Sequence, residues 1–153
     1  MSIQIRRALP SEAAALTVLA HAAKRYWGYP EDWIEFWKAE LTITPDFISG
    51  NEVFVAVIDE NIAGCCALVV SDKLAELEHM WIEPQRMRQG VGRTLFEHVA
   101  RRAVQLGFTT LELSADPNAE QFYQRLGAER IGEVPADVAG RPRVLPRMRA
   151  TLN

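Results

Sequence analysis

The chain has 153 residues, 48% apolar and 24% charged, a balance that fits a soluble globular protein and excludes a disordered, collagen-like or disulfide-scaffold chain. This length suits one domain, 1–153, whose core needs no metal or disulfide staple. With 17 Lys and Arg against 20 Asp and Glu the formal charge is −3, which lacks the electrostatic footprint of a nucleic-acid binder.

Ile3 and Ile5 alternate with polar residues and predict a short first strand. Pro10-Ser11-Glu12 opens a helix that runs to about Arg25, and Gly28-Tyr29-Pro30 breaks it. A second helix is expected from about Glu31 to Leu41, carrying Trp33, Ile34, Phe36 and Trp37. Val53–Ile58, Ile62–Val70 and Leu74–Ile82 then read as an antiparallel meander, with turns at Asp59-Glu60-Asn61 and Ser71-Asp72-Lys73. After Pro84 a loop rich in Arg and Gln ends at Gly90-Val91-Gly92. Val91, Leu95, Val99 and Leu106 follow at helical spacing, and Gly107 is a plausible stop. Thr109–Leu113 reads as a strand. A short helix is expected between Asp116-Pro117-Asn118 and Leu126-Gly127, and extended segments near Arg130–Val134 and Val144–Thr151. The order describes an α+β domain with a mixed sheet.

Cys65 and Cys66 are adjacent, so in a strand they point to opposite faces and do not bridge. Reduced thiols fit a cytoplasmic protein. No apolar stretch approaches the ~20 residues of a membrane span, so no membrane partner is expected. Arg6-Arg7 before Ala13–Ala20 imitates a signal peptide, but Glu12 interrupts it, and an amphipathic first helix accounts for the same residues. His21, His79 and His98 share no metal-ligand spacing with the cysteines or each other; no metal is expected.

The strongest chemical feature is strand, polar loop, Gly-x-Gly and helix at 77–106. A helix N-terminus presents unpaired N–H groups and partial positive charge, and glycine lets a bulky anion approach the backbone. Arg86, Arg88 and Arg93 surround this turn and can bond phosphate, or they are simply solvated. Leu95 stands where a dinucleotide fingerprint needs Gly or Ala, and Gly92-Arg93-Thr94 is not the Gly-Lys of a P-loop.

A second feature is Asn118, then Phe122-Tyr123, then Leu126-Gly127. With Ile82-Glu83-Pro84 and Met87-Arg88-Gln89-Gly90-Val91-Gly92, it resembles the GNAT superfamily of acyl-CoA-dependent N-acyltransferases over essentially the whole chain. Met87 departs from the pattern, since the family usually has Arg or Gln there. The resemblance implies a mixed, mostly antiparallel central sheet of about seven strands flanked by about four helices. It also implies acetyl-CoA as cosubstrate and direct transfer of its acetyl group to a primary amine of a small molecule or peptide. Coenzyme A would lie on Met87, Arg88, Gln89, Gly90, Val91, Gly92 and Arg93, with its pantetheine arm along Trp81-Ile82 and with Asn118 and Tyr123 nearby. The alternative is a catalytically silent acyl-CoA-binding module. A homodimer is compatible with either.

An alkylamine of pKa ~10.4 is only about one part in a thousand neutral at pH 7, so a base is expected. Glu76 and Glu78, two apart on the strand before the loop, are the candidates, acting directly or through water, unless both are solvated surface groups. A bulge in that strand would re-aim their side chains. Tyr123 is the candidate acid for the leaving thiolate, or else a packing residue. Trp27, Tyr29 and Trp33 are the candidate acceptor wall, where rings can stack on an amine or hold it by cation–π contact.

Overall fold

The computed structural model describes residues 2–153. Seven strands form one sheet: β1 (Gln4–Arg7), β2 (Glu52–Ile58), β3 (Asn61–Val70), β4 (Ala75–Ile82), β5 (Thr110–Ser114), β6 (Ala128–Pro135) and β7 (Val144–Thr151). Their spatial order is β1-β2-β3-β4-β5-β7-β6. All neighbours are antiparallel except β4 and β5. A parallel pair needs a crossover, and the amphipathic helix α5 (Val91–Gln105) supplies it. Val91, Leu95, Phe96, Val99 and Ala103 of α5 are buried against one face of the sheet. Each large apolar side chain there contributes roughly 1.5–3 kcal/mol. Leu106 of the same spacing caps the helix and is largely exposed.

The opposite face is covered by α1 (Ala13–Arg25) and α4 (Pro45–Gly50), through Ala13, Leu16, Leu19 and Ile48. Cys65 lies in this core layer and Cys66 in the one under α5, so the adjacent thiols do point to opposite faces, and both are free. A third cluster joins Ala20 of α1 to Ile34 of α2 (Glu31–Phe36), Trp37, Leu41 of α3 (Lys38–Leu41) and Val138. The last helix is α6 (Glu120–Arg125).

Among the described residues there are thus six α-helices where about four were expected. The expected second helix is interrupted at Trp37, although Trp37 N–H still bonds Trp33 C=O and Leu41 N–H bonds Trp37 C=O across the break. Helix α4 was not expected, because six residues are too few to show a helical period. Its signal is local: the Thr44 hydroxyl accepts from Phe47 N–H, and Pro45 takes the first turn.

Two irregularities shape the functional end of the sheet. In β4, Cys66 faces Met80 but Ala67 faces Glu78, which leaves His79 as a bulge at φ 56°. The bulge reverses the alternation: Ala75 and Leu77 before it, and Met80 and Ile82 after it, all join the core under α5. Then β4 and β5 part, their one register pair being Glu76 opposite Glu112. Beyond that pair, β4 from Leu77 to Ile82 has no strand on its β5 side.

Candidate active site

A cleft of about 770 Å³ opens where β4 and β5 part. One end is the loop before α5. Its backbone takes left-handed conformations at Arg88 (φ 64°) and Gly90 (φ 88°), the kind of turn that gathers N–H groups around an anion. Gly90 is the N-cap of α5, and a Cβ built there meets nothing within 4 Å. The space over the first turn is therefore open to a bulky group. Arg86, Met87, Arg88, Gly90, Gly92 and Arg93 line the cleft, whereas Gln89 and Val91 do not. Val91 is buried in the core, and the Gln89 amide bonds Gln85 C=O. Gly92 has a different duty from Gly90: a Cβ there would sit 2.9 Å from the Phe122 ring, so this glycine admits α6 against α5. An open helix N-terminus with three arginines around it fits a pyrophosphate.

The free edge of β4 forms the middle of the cleft, with Trp81 and Ile82 on its wall. Unpaired strand groups there are available to amides of an extended ligand. Glu76 and Glu78 both line the cleft, yet they differ. Glu76 is held by Arg147 at 3.0 Å. Glu78 has no ion-pair or hydrogen-bond partner among the described residues and is open to the cleft. Partial burial, then the charge of Glu76, push its carboxyl above the ordinary range, with Arg147 pulling the other way. Tyr123 of α6 is buried in the core against Phe96 and Phe122 while lining the same cleft. No described group accepts from its hydroxyl, and burial, reinforced by Cys66 and Asp116, raises its pKa, so it keeps its proton. His79 accepts from the Trp81 indole N–H at 2.9 Å; burial lowers its pKa, which suits that neutral acceptor role.

The third region departs from expectation. Trp27 lines the cleft, but Tyr29 and Trp33 do not. Tyr29 stacks on Trp33 and meets Trp37 edge-on. Its hydroxyl donates to the Asp116 carboxylate at 2.9 Å and accepts from Asn118 Nδ2 at 3.0 Å and Arg143 Nη2 at 2.7 Å. Asn118 lines the cleft with its side-chain amide committed to Tyr29 and Asp116. Asp116 also accepts from Lys24 Nζ at 2.8 Å and Asn118 N–H at 2.9 Å. Burial opposes its charge, but Lys24, the Asn118 N–H and Tyr29 prevail and hold its carboxyl below the ordinary range.

Sequence reading missed Lys24 and Arg143, and took Asp116 only for the start of a helix. One signal was available: Lys24 follows Leu16, Ala20 and Ala23 on the buried stripe of α1, where a cation is out of place unless paired.

The acetyltransferase (GNAT) family matches residues 16–128. The peptidyl-lysine N-acetyltransferase YjaB of Salmonella typhimurium is 27% identical over 144 residues, covering 93% of this chain and 94% of that protein. In fold, the chain is similar to a GCN5-related N-acetyltransferase from Rhodopseudomonas palustris (TM-score 0.84, 19% identity, 99% of this chain and 97% of that one). It is also similar to the PaiA N-acetyltransferase of Thermoplasma acidophilum in complex with coenzyme A (TM-score 0.79, 20% identity, 99% of each chain). This chain belongs to the acetyltransferase (GNAT) family and is accordingly an N-acetyltransferase with acetyl-CoA as its cosubstrate.

Proposed function

We propose that the chain 1–153 acts as one acyltransferase domain in which Glu78 and Tyr123 serve a direct attack of a primary amine on the thioester. The observation that supports this is that both line the cleft that opens where β4 and β5 part, the carboxylate without a partner and the hydroxyl without an acceptor among the described residues. Acetyl-CoA supplies an activated acyl carbon and a thiolate leaving group.

The first turn of α5, with Gly90, Gly92, Arg88 and Arg93, would hold the pyrophosphate, and the free edge of β4 at Trp81-Ile82 the pantetheine amides. Met87 contributes an apolar wall, with Arg86 and Arg88 beside it. Glu78 takes the proton of the acceptor ammonium, directly or through water; its raised pKa brings it closer to that task at neutral pH. Glu76 is tied to Arg147, which leaves Glu78 the carboxylate free to act as base, and its charge supports the rise at Glu78. Tyr123 donates its hydroxyl proton toward the departing sulfur, since an ordinary thiol, with a pKa of ~8.5, is more acidic than a phenol and leaves as an anion that a phenol can hydrogen-bond. A cytoplasmic location belongs to the same reading, supported by two buried, unbridged thiols; no described helix is long and apolar enough to cross a membrane.

The test is a panel of amines with acetyl-CoA, including a lysine peptide, with free thiol and acetylated product both measured. Stoichiometric thiol and product with at least one amine support the reading. Coenzyme A binding with no turnover on any of them would instead mark a silent binding module.

A further inference from the structure

The acceptor end of the cleft carries an excess of buried positive charge. Lys24 and Arg143 both line it, their side chains only 10% and 12% exposed, and they share the single buried carboxylate of Asp116. Asp116 is already saturated. Lys24 Nζ, Tyr29 hydroxyl, Asn118 N–H and Asn118 Nδ2 all donate to it, which uses the roughly four lone-pair positions of a carboxylate. Arg143 is left with a long 3.5 Å contact to it.

Of the five N–H donors of a guanidinium, Arg143 spends one, from Nη2 to the Tyr29 hydroxyl. No described side-chain nitrogen is sealed from solvent without a partner, so the unpartnered Nε and Nη1 of Arg143 keep access to solvent, and Arg143 lines the cleft. The fork is also fixed in place. Its carbon lies 5.2 Å from the Tyr29 ring centre and 5.1 Å from that of Trp37. Lys24 Nζ sits 4.2 Å from the Trp37 ring centre. Two more acids lie nearby, Glu40 on the cleft rim, whose charge reaches Lys24, and Asp137, which accepts from the Arg143 backbone N–H; both are solvent-exposed, so solvent screens them more than it does the buried Asp116.

The cleft thus holds the free carboxylate of Glu78 where the strands part, and two buried cations on one buried carboxylate at the other end. We propose that the acceptor is an amine that also carries a carboxylate, and that Arg143, steadied by Tyr29 and assisted by Lys24, receives that carboxylate. A planar two-oxygen anion matches the guanidinium fork. This rests on the amine-acetylation reading and adds the acceptor class to it.

The test pairs acceptors that differ in the carboxylate: L-phenylalanine against 2-phenylethylamine, and 4-aminobutyrate against butylamine. The enzyme should favour the acid of at least one pair by tenfold or more in kcat/KM. Arg143→Gln should abolish that preference by raising the acid's KM tenfold or more, with the KM for acetyl-CoA unchanged. Arg143→Lys, which keeps the charge without the fork, should retain part of it and carries the comparison if the Gln variant does not fold. Preference for the plain amines or a lysine peptide, or an acid preference surviving in Arg143→Gln, overturns the proposal. If no amine is acetylated, the functional reading fails by itself. Calorimetry of L-phenylalanine and 4-aminobutyrate into the coenzyme A-loaded protein then decides: binding lost in Arg143→Gln upholds the carboxylate site, and binding of neither compound overturns it.

Discussion

Tyr123 combines two properties that usually exclude each other, a ring packed in the core and a hydroxyl with no partner among the described residues. Tyr123→Phe keeps the packing, so stability should hold while turnover falls by roughly 10–10³. Coenzyme A affinity should stay within error in calorimetry. Unchanged turnover, with chemistry shown to limit the rate, would leave Tyr123 a packing residue. Glu78 makes a pH prediction. Its folded pKa is raised, so the basic form appears only as pH climbs above the ordinary carboxylate value. The acidic limb of kcat/KM should accordingly lie on the high side of that value, and Glu78→Gln should flatten it with a loss of about 10²–10⁴ in rate. Asp116 behaves in the opposite sense. Its pKa is depressed, so its stabilisation is complete above the unfolded carboxylate value and is lost as pH falls through the lower folded one. Asp116→Asn leaves Lys24 buried without its charge partner and should cost about 3–5 kcal/mol in urea denaturation at pH 7. The gap to the parent protein should shrink in acid; a gap independent of pH would exclude the ionic account. Of these three residues, Tyr123 was singled out by the Phe-Tyr and Leu-Gly spacing and Glu78 by its place before the loop, and both line the cleft. The bonding of Asp116 was not legible, because its partners lie 92 and 87 positions away in the chain.

The loop and first turn of α5 were the most legible element, since glycine, helix start and arginines fall within a few consecutive residues. What the sequence could not separate is the work of the two glycines: Gly90 needs its left-handed backbone and the open space above it, and Gly92 needs to admit Phe122. Asparagine and aspartate both tolerate left-handed backbone better than other residues, so Gly90→Asn and Gly90→Asp carry similar strain and differ in charge. If the pyrophosphate lies over Gly90 as proposed, the Asp variant should bind coenzyme A at least tenfold more weakly than the Asn variant, because its carboxylate would face that anion. Equal affinities would move the phosphate site elsewhere. The bulge in β4 was anticipated as a type of irregularity, and the structure puts it at His79. Alternation alone cannot place such a residue, because β4 is partly buried on both faces beyond it. The interruption at Trp37 was invisible for a related reason: no proline or glycine marks it.

The meander β2–β4 and the amphipathic helix α5 followed from local signals and short connections, so the left half of the sheet was readable, although the parallel crossover that α5 makes was not read. The right half was not: β7 inserts between β5 and β6, a choice made by long-range pairing. The same insertion places Arg147 where the two halves join. The join is narrow, a single parallel pair between Glu76 and Glu112, two like charges placed opposite each other. Arg147 spans both, at 3.0 Å to Glu76 and 3.1 Å to Glu112, and adds a bond to Ser114 Oγ. Mechanically, the sheet is two leaves of unequal width that share the core under α5, with Arg147 as a guanidinium rivet across their seam. Arg147→Met should lower the melting temperature by several degrees. It should also speed amide exchange selectively along Thr110–Ser114, with the β2–β3 amides unaffected. A uniform acceleration over the whole sheet would mean that the leaves open together. If the rivet sets how far the leaves spread, the width of the mouth is fixed by a residue outside the reacting groups, and loosening Arg147 should admit bulkier acyl chains before it slows the acetyl reaction.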